Sequence, residues 1–284
     1  MTDITIRNGD LRLAASVYGP FGAPDILCLH GISSSRDTWE EMVRRLEDRY
    51  RVWTIDFRGH GHSDRADSYL LADYVTDATA ALDYIGRPTI VVGHSLGGTT
   101  AVYLAQGPHP WVTAVFLEDP PIYMSKLTKN EDLMLSTVFP MLRDKEVELQ
   151  SACAGLDSYI EFVKNMPAPQ GGVLGDHISQ RHIISRGSAL QRHDPATWLP
   201  ALDQTIFSTF EPSLPMLVTA KVTQADNALG ACFMAGHEQR LIDTNPNAEV
   251  VLYEGATHLI HATLTSESRF LDDVEEFITR SVKR

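Results

Sequence analysis

At 284 residues, 43% of them hydrophobic and 21% charged, the chain has apolar material for one sizeable core with an inserted subdomain, or for two small domains. Its 37 acidic against 24 basic side chains give a formal charge of -13, which argues against nucleic acid or an anionic membrane as partner. The start Met1-Thr2-Asp3-Ile4 lacks the basic flank and apolar core of a signal peptide, and no apolar run reaches membrane-spanning length, so a cytoplasmic location is expected.

Thr2–Ile6 and Leu11–Tyr18 read as an opening hairpin across Asn8-Gly9-Asp10, where glycine supplies positive φ. Asp25–Leu29 is a short apolar run of the buried-strand kind and ends at His30-Gly31-Ile32. Thr38-Trp39-Glu40-Glu41 has the pattern of a capping box, opening a helix whose apolar face is Trp39, Met42, Val43 and Leu46. Arg51–Ile55 is the next strand. After a glycine-rich turn, Leu71, Tyr74, Val75, Ala78, Leu82 and Ile85 recur at helical spacing. Strands follow over Thr89–Val92, Trp111–Leu117, Pro215–Val222 and Glu249–Tyr253, and Phe270, Val274, Phe277 and Ile278 line a closing helix. Such alternation predicts an α/β fold whose mostly parallel sheet is covered on both faces.

One stretch breaks the alternation. From 122 to 210 there is no buried strand, only helical segments such as Leu127–Cys153 and Leu156–Asn165, interrupted at Pro167-Ala168-Pro169-Gln170-Gly171-Gly172. Its apolar side chains are Met124, Met134, Phe139, Met141, Tyr159, Phe162, Met166, Trp198, Phe207 and Phe210, and most are expected to pack the segment rather than meet a ligand. The expected organisation is a core of 1–121 and 211–284 carrying a helical cap, 122–210. Cys28, Cys153 and Cys232 are odd in number and widely spaced, which suits reduced thiols better than disulfides or a zinc site.

Gly93-His94-Ser95-Leu96-Gly97-Gly98 lies directly between the run Thr89–Val92 and the small-residue helix that starts near Thr99. A serine at such a turn is exposed above the sheet on a strained backbone, and the flanking glycines relieve side-chain clashes. Ser95 is therefore the candidate nucleophile. The plainer reading, a serine that only caps a helix, fits the context less well.

Leu29-His30-Gly31-Ile32, Asp56-Phe57-Arg58-Gly59-His60-Gly61-His62-Ser63, the Ser95 motif and Gly255-Ala256-Thr257-His258 together resemble the ordered landmarks of the α/β-hydrolase fold. The resemblance covers both ends of the chain and leaves the segment between them unmatched. It implies a Ser, acid, His order with His258 as base and His261 a distant second, and an oxyanion hole from the backbone amides of Ile32 and Leu96. His30 is expected to brace its loop. His60 and His62 imitate a metal-binding pair but sit in the family's glycine-rich turn, so neither metal nor cofactor is expected.

The acid is harder to assign. The commonest family position follows the strand Met216–Val222, where the chain offers Asp226 without the usual glycine and slightly late. Some relatives carry it one strand earlier, which corresponds to Asp119, with Glu118 beside it. Asp119 is preferred over Asp226, and Glu118 stands third. The expected function is hydrolysis of a small or medium hydrophobic ester or lactone, a small-molecule substrate, through an acyl-enzyme. A carbon-carbon bond hydrolase, a cofactor-free peroxidase and a non-enzymatic ligand receptor are the alternatives on the same fold.

Overall fold

The computed structural model describes residues 1–123, 137–203, 205–207, 210 and 213–283, with the backbone alone at 207. Met124, Met134, the Phe207 side chain and residues 127–136 of the first expected cap helix lie outside the described residues.

The strands are β1 (Thr2–Asn8), β2 (Leu11–Tyr18), β3 (Asp25–Leu29), β4 (Arg51–Ile55), β5 (Thr89–His94), β6 (Val112–Glu118), β7 (Thr219–Ala225) and β8 (Glu249–Tyr253). They form one sheet in the order β1-β2-β4-β3-β5-β6-β7-β8. β1 and β2 pair antiparallel, as do β2 and β4, and from β4 to β8 every pairing is parallel. Strands β3 and β5 are wholly buried, which explains why they read as unbroken apolar runs rather than alternating ones.

The helices are α1 (Glu40–Leu46), α2 (Leu71–Ile85), α3 (Leu96–Gln106), α4 (Phe139–Ser151), α5 (Leu156–Asn165), α6 (Gln180–Arg192), α7 (Trp198–Leu202), α8 (His237–Thr244) and α9 (Glu267–Val282). One sheet face packs α2 and α3 through Tyr74, Leu82, Val102 and Leu104, and the opposite face packs α1 and α9. On α9 the stripe Phe270, Val274, Phe277 and Ile278 is at most 1% exposed. Burying four such side chains contributes roughly 6–12 kcal/mol of transfer free energy.

Helices α4 to α7 lie between β6 and β7 in sequence and have their own apolar cluster, built on Leu142, Tyr159, Val163, Ile183 and Trp198. This segment is tied to the rest of the molecule by polar contacts: the Asp194 amide donates to the Gly59 carbonyl (2.8 Å), and Tyr69 Oη donates to the Asp194 carboxylate (2.7 Å). The Pro167–Gly172 interruption falls between α5 and α6, with Gly171 and Gly172 exposed and at positive φ.

Two readings of the sequence need correction. Strand β7 runs Thr219–Ala225, not Pro215–Val222. Pairing with Ala114–Glu118 on one side and Glu249–Tyr253 on the other sets its span, and Leu217 of the apolar run is 60% exposed outside it. Thr38 does not cap α1: it sits in a short 3-10 turn, Arg36–Trp39, and its hydroxyl is directed to His261 Nε2 at 2.7 Å. A buried tertiary partner outcompetes a local cap that solvent could replace.

Candidate active site

Chain order and sheet order part at β3, which lies between β4 and β5, and in open α/β sheets ligands bind beyond the carboxyl ends of strands at such a point. Those ends deliver the residues of interest. Ser95 follows β5 with φ 52° and ψ -116°, a region that residues with a Cβ seldom occupy. Holding it there costs about 1–3 kcal/mol. Its neighbours make the turn possible: a Cβ on Gly93 would lie 2.4 Å from the Gly97 carbonyl oxygen, and one on Gly97 would lie 2.2 Å from that of Leu29. The Ser95 amide donates to the Glu118 carbonyl (2.9 Å), which fixes the turn to the end of β6.

Asp119 follows β6, also at positive φ, 42°. Its carboxylate is fully buried and accepts from the amides of Cys232 (2.8 Å), Phe233 (3.0 Å) and Ala225 (3.3 Å). His258 Nδ1 donates to Asp119 Oδ2 at 2.6 Å. His258 Nε2 lies 3.9 Å from Cys232 Sγ. Burial opposes the imidazolium of His258, but Cys232 and Asp119 beside it more than offset this and hold its pKa well above the ordinary histidine value. The loop carrying His258 is pinned from below, since His94 Nε2 donates to the His258 carbonyl (3.0 Å).

Ser95 and His258 open onto one cavity of about 310 Å³, lined mainly by apolar side chains. From the helical segment it receives Phe139, Met141, Met166 and Trp198. Tyr159 is buried inside the segment's own cluster instead, with Phe162 packed against it, and Phe210 stacks on Tyr103 in the main core. Ile32 lines the cavity, and Leu96 opens α3. Among the described residues, neither the Ile32 nor the Leu96 amide donates a hydrogen bond.

The other sequence candidates have different positions. Asp226 lies directly after β7 and accepts from the amides of Ala228 and Gly255, both at 2.9 Å, so it fastens the turn that precedes His258 without reaching the imidazole. Its apparent lateness reflected the misplaced strand. Glu118 is bonded to His261, whose Nδ1 donates to the carboxylate at 2.8–2.9 Å while Nε2 accepts from Thr38 Oγ1. This Thr38–His261–Glu118 chain is sealed from solvent and carries no local sequence signal, since its members are separated by 143 and 223 positions. Burial pushes Glu118 up to about 7, and burial followed by the positive charge of Arg186 pushes His261 down to about 3. His30 Nδ1 donates to the Gly31 carbonyl (2.8 Å) and Nε2 accepts from the Phe57 amide (3.1 Å), a brace between two loops.

The donor atoms of Asp119, Cys232 and His258 lie within 4.8 Å of one another, as do those of His94, Glu118 and His261. In both groups the carboxylate and one imidazole already satisfy each other by hydrogen bonds, which accounts for the close approach. Of the cysteines, Cys28 and Cys232 are buried and Cys153 is exposed, and none of the three is in a disulfide.

A family model described as the alpha/beta hydrolase family matches residues 26–269. The chain belongs to this family. A bifunctional esterase/perhydrolase of Acinetobacter calcoaceticus is 35% identical over 133 residues, 45% of this chain and 48% of that protein, so the match spans about half the relative's length. A non-heme chloroperoxidase of Kitasatospora aureofaciens is 27% identical over 275 residues, 90% of this chain and 92% of that one. Among solved structures, a putative aryl esterase from Burkholderia cenocepacia superimposes with a TM-score of 0.72 at 21% identity, covering 100% of both chains, a likeness of fold. No helix among the described residues is long and apolar enough to cross a membrane.

Proposed function

We propose that this member of the alpha/beta hydrolase family is a serine hydrolase cleaving a small or medium hydrophobic ester or lactone through an acyl-enzyme. The observation that carries the reading is the 2.6 Å bond from His258 Nδ1 to the buried Asp119, with His258 and the strained Ser95 on one apolar cavity. His258 accepts the Ser95 hydroxyl proton at Nε2 as Oγ attacks the substrate carbonyl. Asp119 keeps the other ring nitrogen protonated and offsets the imidazolium charge. The amides of Ile32 and Leu96 receive the oxyanion, and removing one such donor typically costs about a hundred- to a thousand-fold in turnover. His258 then returns its proton to the leaving alkoxide, and water, activated by the same ring, releases the acid and restores Ser95.

Residues 122–210 act as the cap in this reading: Phe139, Met141, Met166 and Trp198 form the apolar roof over the serine. The names of two relatives favour a second reaction at the same acyl-enzyme, in which hydrogen peroxide replaces water and leaves as a peracid. Covalent labelling with a fluorophosphonate tests the nucleophile. Labelling and turnover of a chromogenic ester should both vanish in Ser95→Ala, with a loss on the order of a million-fold in turnover by analogy with subtilisin. A purified Ser95→Ala protein with near-parental activity would refute the assignment.

A further inference from the structure

We infer that the substrate carries a carboxylate, or an equivalent anion, some distance from the bond that is cut, and that Arg186 receives it. The inference rests on the hydrolase reading for the identity of the cavity as a substrate site. Among the described residues lining that cavity, Arg186 is the only lysine, arginine, aspartate or glutamate. It projects from α6, in the segment proposed as the cap, and forms no ion pair among the described residues. Its Nε is buried with no hydrogen-bond acceptor.

Among the described residues, the acids bonded to the histidines and the tryptophan around this cavity are engaged by those rings. Glu267 accepts from His182 (3.1 Å), Glu118 from His261 (2.8 Å), and Asp119 from His258 (2.6 Å). Glu146 accepts from Trp198 Nε1 (2.7 Å) and from His193 (3.0 Å). Nor do the histidines next to Arg186 share its role as a cation, because burial first, and nearby positive charge second, lower His182 to about 4 and His261 to about 3. Among the described residues, the guanidinium is thus held against an apolar cavity without the partner that normally offsets its desolvation. Burial lowers even Arg186 to about 10. Such an arrangement is unfavourable in the free protein and favourable once an anion supplies two acceptor oxygens to its fork of donors. At about 310 Å³ the cavity is at the small end for ligand sites, so one molecule meets both Ser95 and Arg186. The substrate class is therefore the half-ester of a small dicarboxylic acid, or the lactone of a small hydroxy-dicarboxylic acid with its second carboxylate free.

Monomethyl and dimethyl glutarate differ in this one charge and provide the test. At pH 8 the wild-type kcat/KM for the monoanion should exceed that for the diester by roughly 10- to 150-fold, the worth of a charge-assisted hydrogen bond. Arg186→Gln should lower that ratio by a similar factor, mainly through KM for the monoanion, and Arg186→Lys should recover part of it. A wild type that prefers the diester, or a ratio unmoved in Arg186→Gln, overturns the inference. If Arg186→Gln does not fold, the wild-type preference and Arg186→Lys decide. Should wild type hydrolyse neither ester and escape fluorophosphonate, the hydrolase reading fails by itself. Calorimetric binding of glutarate to wild type, lost in Arg186→Gln and kept in part in Arg186→Lys, would still support the anion site, and absence of that binding would remove it.

Discussion

Glu118 and Asp119 are adjacent at one strand end, and each carboxylate holds a histidine, yet the two pairs differ in every property that chemistry uses. The Asp119 carboxylate is met by three backbone amides as well as His258, so its charge is supported independently of the ring. Among the described residues, the Glu118 carboxylate has only the amide and ring of His261, and burial pushes it up to about 7. His258 is raised and opens on the cavity; His261 is lowered to about 3 and ends on Thr38. A histidine–carboxylate contact therefore does not identify a catalytic pair. Access to a cavity and fixed donors on the carboxylate are what set the proposed pair, His258 and Asp119, apart.

The strongest way to break this contrast is to remove one carboxylate at a time. Asp119→Asn should lower ester turnover by about ten-thousand-fold, as in serine proteases that lose the equivalent charge. Glu118→Gln and Asp226→Asn should each lower it by about tenfold or less, because neither carboxylate touches His258. Steady-state kinetics on one chromogenic ester reads all three, and a large loss in Asp226→Asn with a small one in Asp119→Asn would reverse the assignment.

Acidity sharpens the same contrast. The folded pKa of His258 lies above its ordinary 6.5, so the neutral base accumulates only at higher pH. The acid limb of kcat/KM should fall above pH 6.5 and move downward in Asp119→Asn, measured as a pH–rate profile. The same shift makes His258 stabilising below pH 6.5, a contribution lost as pH rises through its folded value.

Glu118 titrates at about 7 folded against 4.5 unfolded, so between these values the folded state binds more proton and stability falls as pH rises. At 1.36 kcal/mol per unit this amounts to about 3 kcal/mol across the window. Glu118→Gln lacks this term, and urea unfolding of both proteins at pH 4.5 and 7 should reveal the difference. The smallest effect belongs to Thr38→Val, which strands the buried His261 Nε2 and should cost about 1–3 kcal/mol of stability while changing turnover only a few-fold.

Much of this arrangement is legible in the sequence alone. Strands β3, β4 and β8 have the bounds their apolar runs suggest, and the glycines around Ser95 announce the turn. These signals are local. Strand β7 was misread because the run Met216-Leu217-Val218 is apolar, whereas its span is set by pairing with β6 and β8. Thr38 carried a valid capping pattern whose hydroxyl is claimed by His261 from across the fold. Arg186 had no signal at all, since a basic residue on an amphipathic helix ordinarily faces water and only the tertiary fold turns this one toward the cavity.

The separation of the two histidines by function depends on a single residue step in β6. Successive side chains of a strand point to opposite sides, and Glu118 is registered against Thr223 in β7. Adding one codon within Val112–Glu118 would carry Glu118 to the position of Asp119, and deleting one would carry Asp119 to the position of Glu118, so either change takes both acids away from their own histidines. The same change at Gly171 or Gly172, on an exposed turn outside the sheet, leaves both acids in register with their histidines. Length variation among descendants of this chain should therefore accumulate at that turn and be purged from β6.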